Sequence, residues 1–317
     1  MILGATAVAS AQDVRLTNFV RLTNREVALS LVATPGVNFR LDASTNLSSS
    51  NNWGGLRSFQ SAGVNRHTDF AARASSARFY RAQQLTNGAL LGDYLATTNG
   101  DVLLYPLYHA SLLMTWQDQV IYSDPDDDAN YEARYPAGVQ ADLILITHEH
   151  GDHYAPAKLT ETALRKSNGV IIVPQRVYNL SSFTALRPNA MVLGYGQSTT
   201  VGGIHVLAVQ GTNNNHALGV NNCYVVTMGG KKIFISGDTG DVPEIRALTD
   251  IDVAFLCMNR QFTMNWLSAT NVIRSMRPKV VYPYHYREGN GQQTNAALFQ
   301  AAMTSVFDIE VRLRNWY

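Results

Sequence analysis

Lysine is missing from the first 157 of this chain's 317 residues; the first is Lys158. Up to Asn87 there are nine Arg against four acids, Asp13, Glu26, Asp42 and Asp69, a balance of +5. The rest holds sixteen of the 25 bases and twenty of the 24 acids, a balance of −4. Such a shift predicts a boundary near residues 85–90. The whole chain nearly cancels to +1, which supplies no overall field for nucleic acid or acidic membranes. No apolar run approaches the ~18 residues of a membrane helix. Only two cysteines are present, Cys223 and Cys257, each inside an apolar strand-like run. That excludes a disulfide framework and predicts buried free thiols. What remains is a globular composition, 46 % hydrophobic and 15 % charged, at a length that suggests two domains.

Residues 1–12 read Met-Ile-Leu-Gly-Ala-Thr-Ala-Val-Ala-Ser-Ala-Gln and end in the small-residue pattern Ala9-Ser10-Ala11, like the end of a signal peptide without its positive n-region. The expectation is a secreted or periplasmic protein. Residues 13–86 contain short strand-like runs at 27–32, 38–43 and 78–82, separated by Pro35-Gly36, Ser48-Ser49-Ser50-Asn51-Asn52 and Gly54-Gly55. This is turn chemistry between short strands, so a small all-β domain is expected. Phe39-Arg40-Leu41-x-Ala43-Ser44-Thr45-Asn46-Leu47, Trp53 and Arg78-Phe79-Tyr80-Arg81 resemble a β-sandwich module appended to secreted bacterial proteins. Its implied role is accessory, with Trp53 and Phe79 as packing anchors. Residues 87–100 are read as a linker or short helix opening a second domain, 87–317.

That domain is organised around Thr147-His148-Glu149-His150-Gly151-Asp152-His153, directly after the apolar run Leu143-Ile144-Leu145-Ile146. Three imidazoles and a carboxylate crowded at the carboxyl end of a buried strand need a cation to hold them together. Imidazole nitrogen and carboxylate oxygen suit Zn²⁺, Mn²⁺ or Fe²⁺. Downstream, His216 follows Asn213-Asn214-Asn215, Asp238 sits in Ser236-Gly237-Asp238-Thr239-Gly240, and His285 sits in Tyr282-Pro283-Tyr284-His285-Tyr286, each after a likely strand.

His148-x-His150-x-Asp152-His153 with these three later residues is similar to the signature of the metallo-β-lactamase superfamily. The resemblance implies an α/β (α+β) four-layer αββα sandwich over roughly 89–317. It also implies two divalent ions, Zn²⁺ first, with Mn²⁺ or Fe²⁺ as alternatives. His148, His150 and His216 would hold one ion, Asp152, His153 and His285 the other, and Asp238 would bridge them. A metal-bridging hydroxide would then cleave an ester, lactone or phosphodiester of a small-molecule substrate. Asp152, His216 and Asp238 are the implied catalytic residues, Asp152 also moving the proton to the leaving group.

Departures narrow the branch. His150 stands where flavin-linked di-iron relatives carry Glu, which favours hydrolysis. Asp238 argues against antibiotic cleavage. The downstream motifs look most like the L-ascorbate-6-phosphate lactonase-like branch, as do His109-Ala110-Ser111 and Asp124-Pro125, with His109 read as structural or as supporting the ligands. Helices are expected at 156–166, 243–248, 265–276 and 294–304, and strands at 170–173, 190–193, 222–228, 231–235, 253–257, 280–284 and 309–313. Asp126-Asp127-Asp128 lacks the Gly and Glu of a calcium loop and reads as a solvated acidic turn. Arg260 and Arg287 are candidates for an anionic substrate group, Arg287 equally for a pairing with Glu288 or a loop carbonyl, and Trp266 and Tyr286 are candidate walls, with core packing as their other role. From another class, a non-catalytic binding or adhesion protein using the N-terminal module is the alternative.

Overall fold

The computed structural model describes residues 14–48, 52–126, 135–286 and 294–314. The signal-like segment 1–12, Asp127, Asp128 and Arg287 lie outside them. The chain divides into two compact units, with the boundary between Tyr105 and Pro106.

The first unit is all β: β1 (Arg15–Arg21), β2 (Val27–Val32), β3 (Asn38–Ser44), β4 (Gly54–Gln60), β5 (Val64–Asp69), β6 (Phe79–Gln84), β7 (Asp93–Leu95) and β8 (Val102–Pro106). One antiparallel sheet runs β1-β2-β5; in the other, β3 is flanked by β6 and β4, followed by β7 and β8. Alternation sends Val27 and Leu29 of one sheet and Leu41, Ala43 and Tyr80 of the other into one core, with Leu16, Phe19, Leu56 and Phe59 packed at its edge. The segment 87–100, read as linker or helix, instead contributes β7, because Asp93 pairs with Arg57 of β4 in register. The arginine excess is largely structural. Asp42, fully buried, takes Arg40 at 2.6 Å and Arg81 at 3.0 Å, and Asp69 takes Arg78 at 2.7 Å. Trp53 lies under the Arg81 guanidinium, 4.6 Å from ring centre to charge.

The second unit holds two mixed sheets. In the first, the order is β13-β12-β11-β10-β9, built from β9 (Leu112–Trp116), β10 (Gln119–Ser123), β11 (Ala141–Leu145), β12 (Arg165–Val173) and β13 (Ala190–Val192). The second runs in sequence order through β14 (Ser198–Val201), β15 (Ile204–Gly211), β16 (Asn221–Met228), β17 (Lys231–Ile235), β18 (Val253–Cys257), β19 (Val280–Tyr284) and β20 (Glu310–Val311). Among the described residues five α-helices accompany them: α1 (Pro156–Thr160), α2 (Gln175–Tyr178), α3 (Pro243–Arg246), α4 (Trp266–Met276) and α5 (Thr294–Met303), with a 3-10 helix at Ser181–Asn189. This is the expected αββα sandwich.

β11 is parallel to both β10 and β12, and its Leu143, Ile144 and Leu145 are fully buried. A strand covered on both faces must be apolar throughout, which is what the run before the histidines encodes. β17, β18 and β19 are likewise parallel neighbours. The sheets are joined at one rim: Asn222 N donates to Thr147 O at 2.9 Å, and the buried Tyr224 hydroxyl donates to Ile146 O at 2.8 Å. Helix α4 is capped by Asn265, whose side chain accepts from Leu267 N and Ser268 N, worth about 1 kcal/mol, and it stops at Arg277 in the left-handed region, φ 53°. The helix expected over 156–166 ends at Thr160, and β12 begins at Arg165. A Cβ on Gly169 would sit 2.7 Å from Ala141 O, so that close backbone approach belongs to a strand edge. Cys223 and Cys257 are buried free thiols.

Candidate metal centre

Parallel strands deliver their carboxyl ends to the same side, where ligands of open α/β sheets gather. After β10 comes Asp124, after β11 the segment Thr147 to His153, after β17 Asp238 and after β19 His285. The loop from β15 to β16 brings His216. Their side chains form three groups whose potential ligand atoms lie within 4.8 Å of one another: His148, His150 and His216; His148, His153 and Asp238; and His109, Asp152 and His285. All seven residues singled out as ligands therefore converge, and His109 joins them.

Distances define the interior. His216 Nε2 is 3.1 Å from His150 Nδ1. Asp238 Oδ1 is 3.2 Å from His153 Nε2 and 3.4 Å from His285 Nε2, so it lies between groups. Asp152 Oδ2 is 3.3 Å from His285 Nε2, 3.8 Å from His153 Nε2 and 3.1 Å from His109 Nε2. His148, His153, His216, Asp238 and His285 are buried, whereas the Asp152 side chain is 45 % exposed.

Asp124 and Asn213 orient the imidazoles. Fully buried Asp124 accepts from Thr147 N at 2.7 Å and from Thr147 Oγ1 at 2.7 Å. It also faces His153 Nδ1 at 2.8 Å. A carboxylate only accepts, so His153 Nδ1 carries the proton and Nε2 presents a lone pair. Thr147 has spent its own proton on Asp124 and accepts from His148 Nδ1, 3.0 Å away, which turns the His148 Nε2 lone pair inward as well. Asn213 Oδ1 takes His216 N at 2.8 Å and His216 Nδ1 at 3.0 Å, to the same effect. Glu149, between two of the histidines, pairs with Arg176 of α2 and pins the outer side of the turn.

The backbone is forced here. His109, Asp124 and His285 adopt φ of 52°, 44° and 50°, a region that costs non-glycine residues about 1–2 kcal/mol each. Gly237, φ 51°, precedes Asp238, and a Cβ there would meet Asn221 Oδ1 at 2.4 Å and Thr147 Cβ at 2.8 Å.

Burial drives His148 well below the ordinary imidazole pKa and lowers His216. It takes His109 down to about 4, with His285 adding to the effect. For His153, burial opposes the charge, but Asp238 and Asp124 override it and raise the pKa well above ordinary. Burial would raise both carboxylates. Hydrogen bonds from His109 and His285 hold Asp152 far below the usual carboxylate range instead, and His285 and His153 do the same to Asp238. Ionised carboxylates thus share the site with His148, His216 and His109, whose burial favours the neutral form, while His153 is held between two of them. His148 Nε2 is buried with no hydrogen-bond partner among the described residues. A divalent cation fits this donor set: imidazole nitrogens aimed inward, fixed from behind, with carboxylates to balance charge.

The other candidates separate. Arg260 lines a groove beside the His216 and Asp238 loops. Tyr286 is 1 % exposed, its hydroxyl donating to Arg314 O at 3.4 Å, and Trp266 opens α4, its backbone N–H donating to Asn295 Oδ1 at 2.7 Å. Neither lines that groove.

A sandwich of two mixed sheets with a histidine and aspartate cluster at their shared rim is the arrangement of a metal-dependent hydrolase. The family profile described as "Beta-lactamase superfamily domain" matches residues 104–285. Over 190 residues the chain is 34 % identical to a UPF0173 metal-dependent hydrolase of Thermococcus kodakarensis, covering 57 % of this chain and 82 % of that protein. It is 32 % identical, also over 190 residues, to the one from Thermus thermophilus, covering 57 % and 81 %. Among solved structures, a proposed metal-dependent hydrolase of Parabacteroides distasonis shares 33 % identity at a TM-score of 0.60, covering 71 % of this chain and 99 % of that one. The metallo hydrolase Igni18 of Ignicoccus hospitalis shares the fold, at 21 % identity and a TM-score of 0.55, over 67 % and 94 % of the two chains. The chain belongs to the UPF0173 metal-dependent hydrolases of the β-lactamase superfamily.

Proposed function

We propose that the chain is a dinuclear enzyme that hydrolyses an ester, lactone or phosphodiester bond in a small-molecule substrate. The observation that carries this reading is the convergence of three candidate ligand groups, two sharing His148 and the third reached from Asp238 through His285 at 3.4 Å, too many donors for one tetrahedral ion. His148, His150 and His216 hold the first ion; Asp152, His153 and His285 hold the second, with His109 beside them; Asp238 lies between. Zn²⁺ suits the histidine-rich set best, with Mn²⁺ or Fe²⁺ as alternatives. When bound, the ions supply activation of water near neutral pH and Lewis-acid polarisation of the electrophile. The chain's own residues do the rest. Asp124, Thr147 and Asn213 keep the imidazoles in the ligand tautomer. Asp152, ionised and with its side chain 45 % exposed, accepts a proton from the attacking water at Oδ1 or Oδ2 and passes it to the leaving oxygen. The buried apolar floor below Ile146 keeps stray water from the back of the site.

Ala9-Ser10-Ala11 supports export to the periplasm or medium, with the first unit as an accessory module. The test is elemental analysis of purified protein with turnover of a lactone, an aryl ester, bis-p-nitrophenyl phosphate and a β-lactam. About two metals per chain and chelator-sensitive turnover of one of the first three are expected, and His150→Ala should lower metal content and abolish turnover. No metal and no turnover after Zn²⁺ or Mn²⁺ is added would refute the reading and leave the binding-protein alternative.

A further inference from the structure

Beside the metal centre lies a groove of about 660 Å³ lined by residues of three loops: Thr212 to Asn215, Gly240 to Val242, and Arg260 to Thr263. These are the loops after β15, β17 and β18, and the first two carry His216 and Asp238. The groove falls within the size range of small-molecule sites. It is also mechanically tied to the centre. The Asn213 carboxamide that holds His216 also donates to Asp238 O at 3.1 Å and to Phe262 O at 3.0 Å, and Asn215 Nδ2 donates to Phe262 O at 3.2 Å. One side chain therefore fixes a ligand imidazole and the groove's wall in a single frame.

The chemistry of the lining is specific. Phe262 is 46 % exposed, an aromatic face open to solvent. The side chains of Asn214 and Gln261 make no hydrogen bond to another described residue, so both carboxamides offer a donor and an acceptor. Arg260 contributes the groove's positive charge. Its one carboxylate, Asp241, is engaged by Arg246 and does not stand open to repel an anion. An aromatic face takes the apolar C–H side of a saturated ring, carboxamides take hydroxyls in either sense, and a guanidinium matches a carboxylate.

We propose that this groove is the recognition subsite for the part of the substrate beyond the scissile bond, and that it takes a hydroxyl-bearing ring with a carboxylate substituent. The proposal rests on reading the adjacent cluster as a hydrolytic centre. Arg260 selects the charge, Asn214 and Gln261 read the hydroxyls, and Phe262 supplies the platform.

The test is ligand-observed NMR titration of the metal-loaded protein with methyl β-D-glucuronide, methyl β-D-glucoside and cyclohexanecarboxylate. A ligand of this size should bind with a dissociation constant on the order of 1 mM. The glucuronide is expected to bind about tenfold more tightly than either of the others, the margin of one charge-assisted contact. Arg260→Gln should bring it to the level of the glucoside. Asn214→Ala with Gln261→Ala should weaken both sugars. In His150→Ala the glucuronide should still bind, because the subsite does not depend on turnover. Equal binding of all three ligands, or glucuronide binding untouched by Arg260→Gln, would overturn the proposal. So would loss of carboxylate binding in His150→Ala alone, which would place the carboxylate on the metals. Absence of turnover on the bond panel with intact glucuronide selectivity would refute the hydrolytic reading and leave the subsite standing.

Discussion

Asp124→Asn changes a single atom type, yet it strikes the post that holds two ligand imidazoles. The carboxylate is fully buried and receives Thr147 N, Thr147 Oγ1 and His153 Nδ1 within 2.8 Å. An amide at this point keeps one accepting oxygen, which can serve Thr147 N as Oδ1 does now. Its NH₂ then confronts the Thr147 hydroxyl and the His153 Nδ1 proton. Hydrogen bonds to a charged group are worth about 1.5–3 kcal/mol each, so losing the two on Oδ2 should cost about 3–5 kcal/mol. The imidazoles of His148 and His153 lose their fixed tautomers, and affinity for the ions should fall about 10–100-fold. Urea denaturation of metal-stripped protein reads the first quantity, and competition against a coloured chelator reads the second. A variant within about 1 kcal/mol of the parent and with unchanged metal affinity would refute the reasoning.

Gly237→Ala places a methyl group against Asn221 and Thr147 in a left-handed backbone. It should destabilise by about 2–4 kcal/mol in urea, and a loss below about 1 kcal/mol would show that the turn relaxes at little cost. Away from the site, buried Asp252 accepts from Lys232 N at 3.0 Å and Lys279 Nζ at 2.7 Å. Burial would raise its pKa, but these bonds and the nearby lysines lower it. A depressed carboxylate stabilises above its unfolded pKa of about 3.9 and loses that contribution as pH falls through the folded value. Asp252→Asn should therefore be less stable than the parent by a constant margin from pH 7 to about 5, narrowing below about 4. A margin that widens in acid would reverse the sign of this argument.

The convergence of the candidate ligands was legible because the first four fall at short fixed offsets after an apolar strand, and the later ones each follow a strand of the same kind. The residues that position them were harder to read. His109 meets Asp152 across 43 residues and Asp124 meets His153 across 29, so no local pattern marks either pair. His109-Ala110-Ser111 and Asp124-Pro125 stand out as motifs, with His109 read as structural or supporting, but their partners Asp152 and His153 cannot be read from sequence. Asn213 closes a turn with His216, as a short polar side chain readily does; that its amide also grips the His216 imidazole depends on the fold. Helix 156–166 was overdrawn because Pro, Ala, Lys and Leu favour a helix, while the close approach of Gly169 to Ala141 is a tertiary fact. β7 was missed because a three-residue strand has no period to detect.

The rim where the sheets meet has a consequence for the protein's lifetime. Asp152 and His285, 3.3 Å apart, are separated by 133 residues of chain, and the ligand set draws on both sheets. An unfolded chain cannot assemble such a cluster, so ions held by it would bind the native state far more tightly than the unfolded one. By mass action, free metal at a thousand times its dissociation constant adds about 4 kcal/mol to stability, comparable to the whole margin on which many domains survive. The thermal midpoint should rise steadily with the logarithm of metal concentration and fall with chelation. Metal supply would then govern how long each molecule escapes proteolysis as well as how fast it works, making abundance a readout of the surrounding metal.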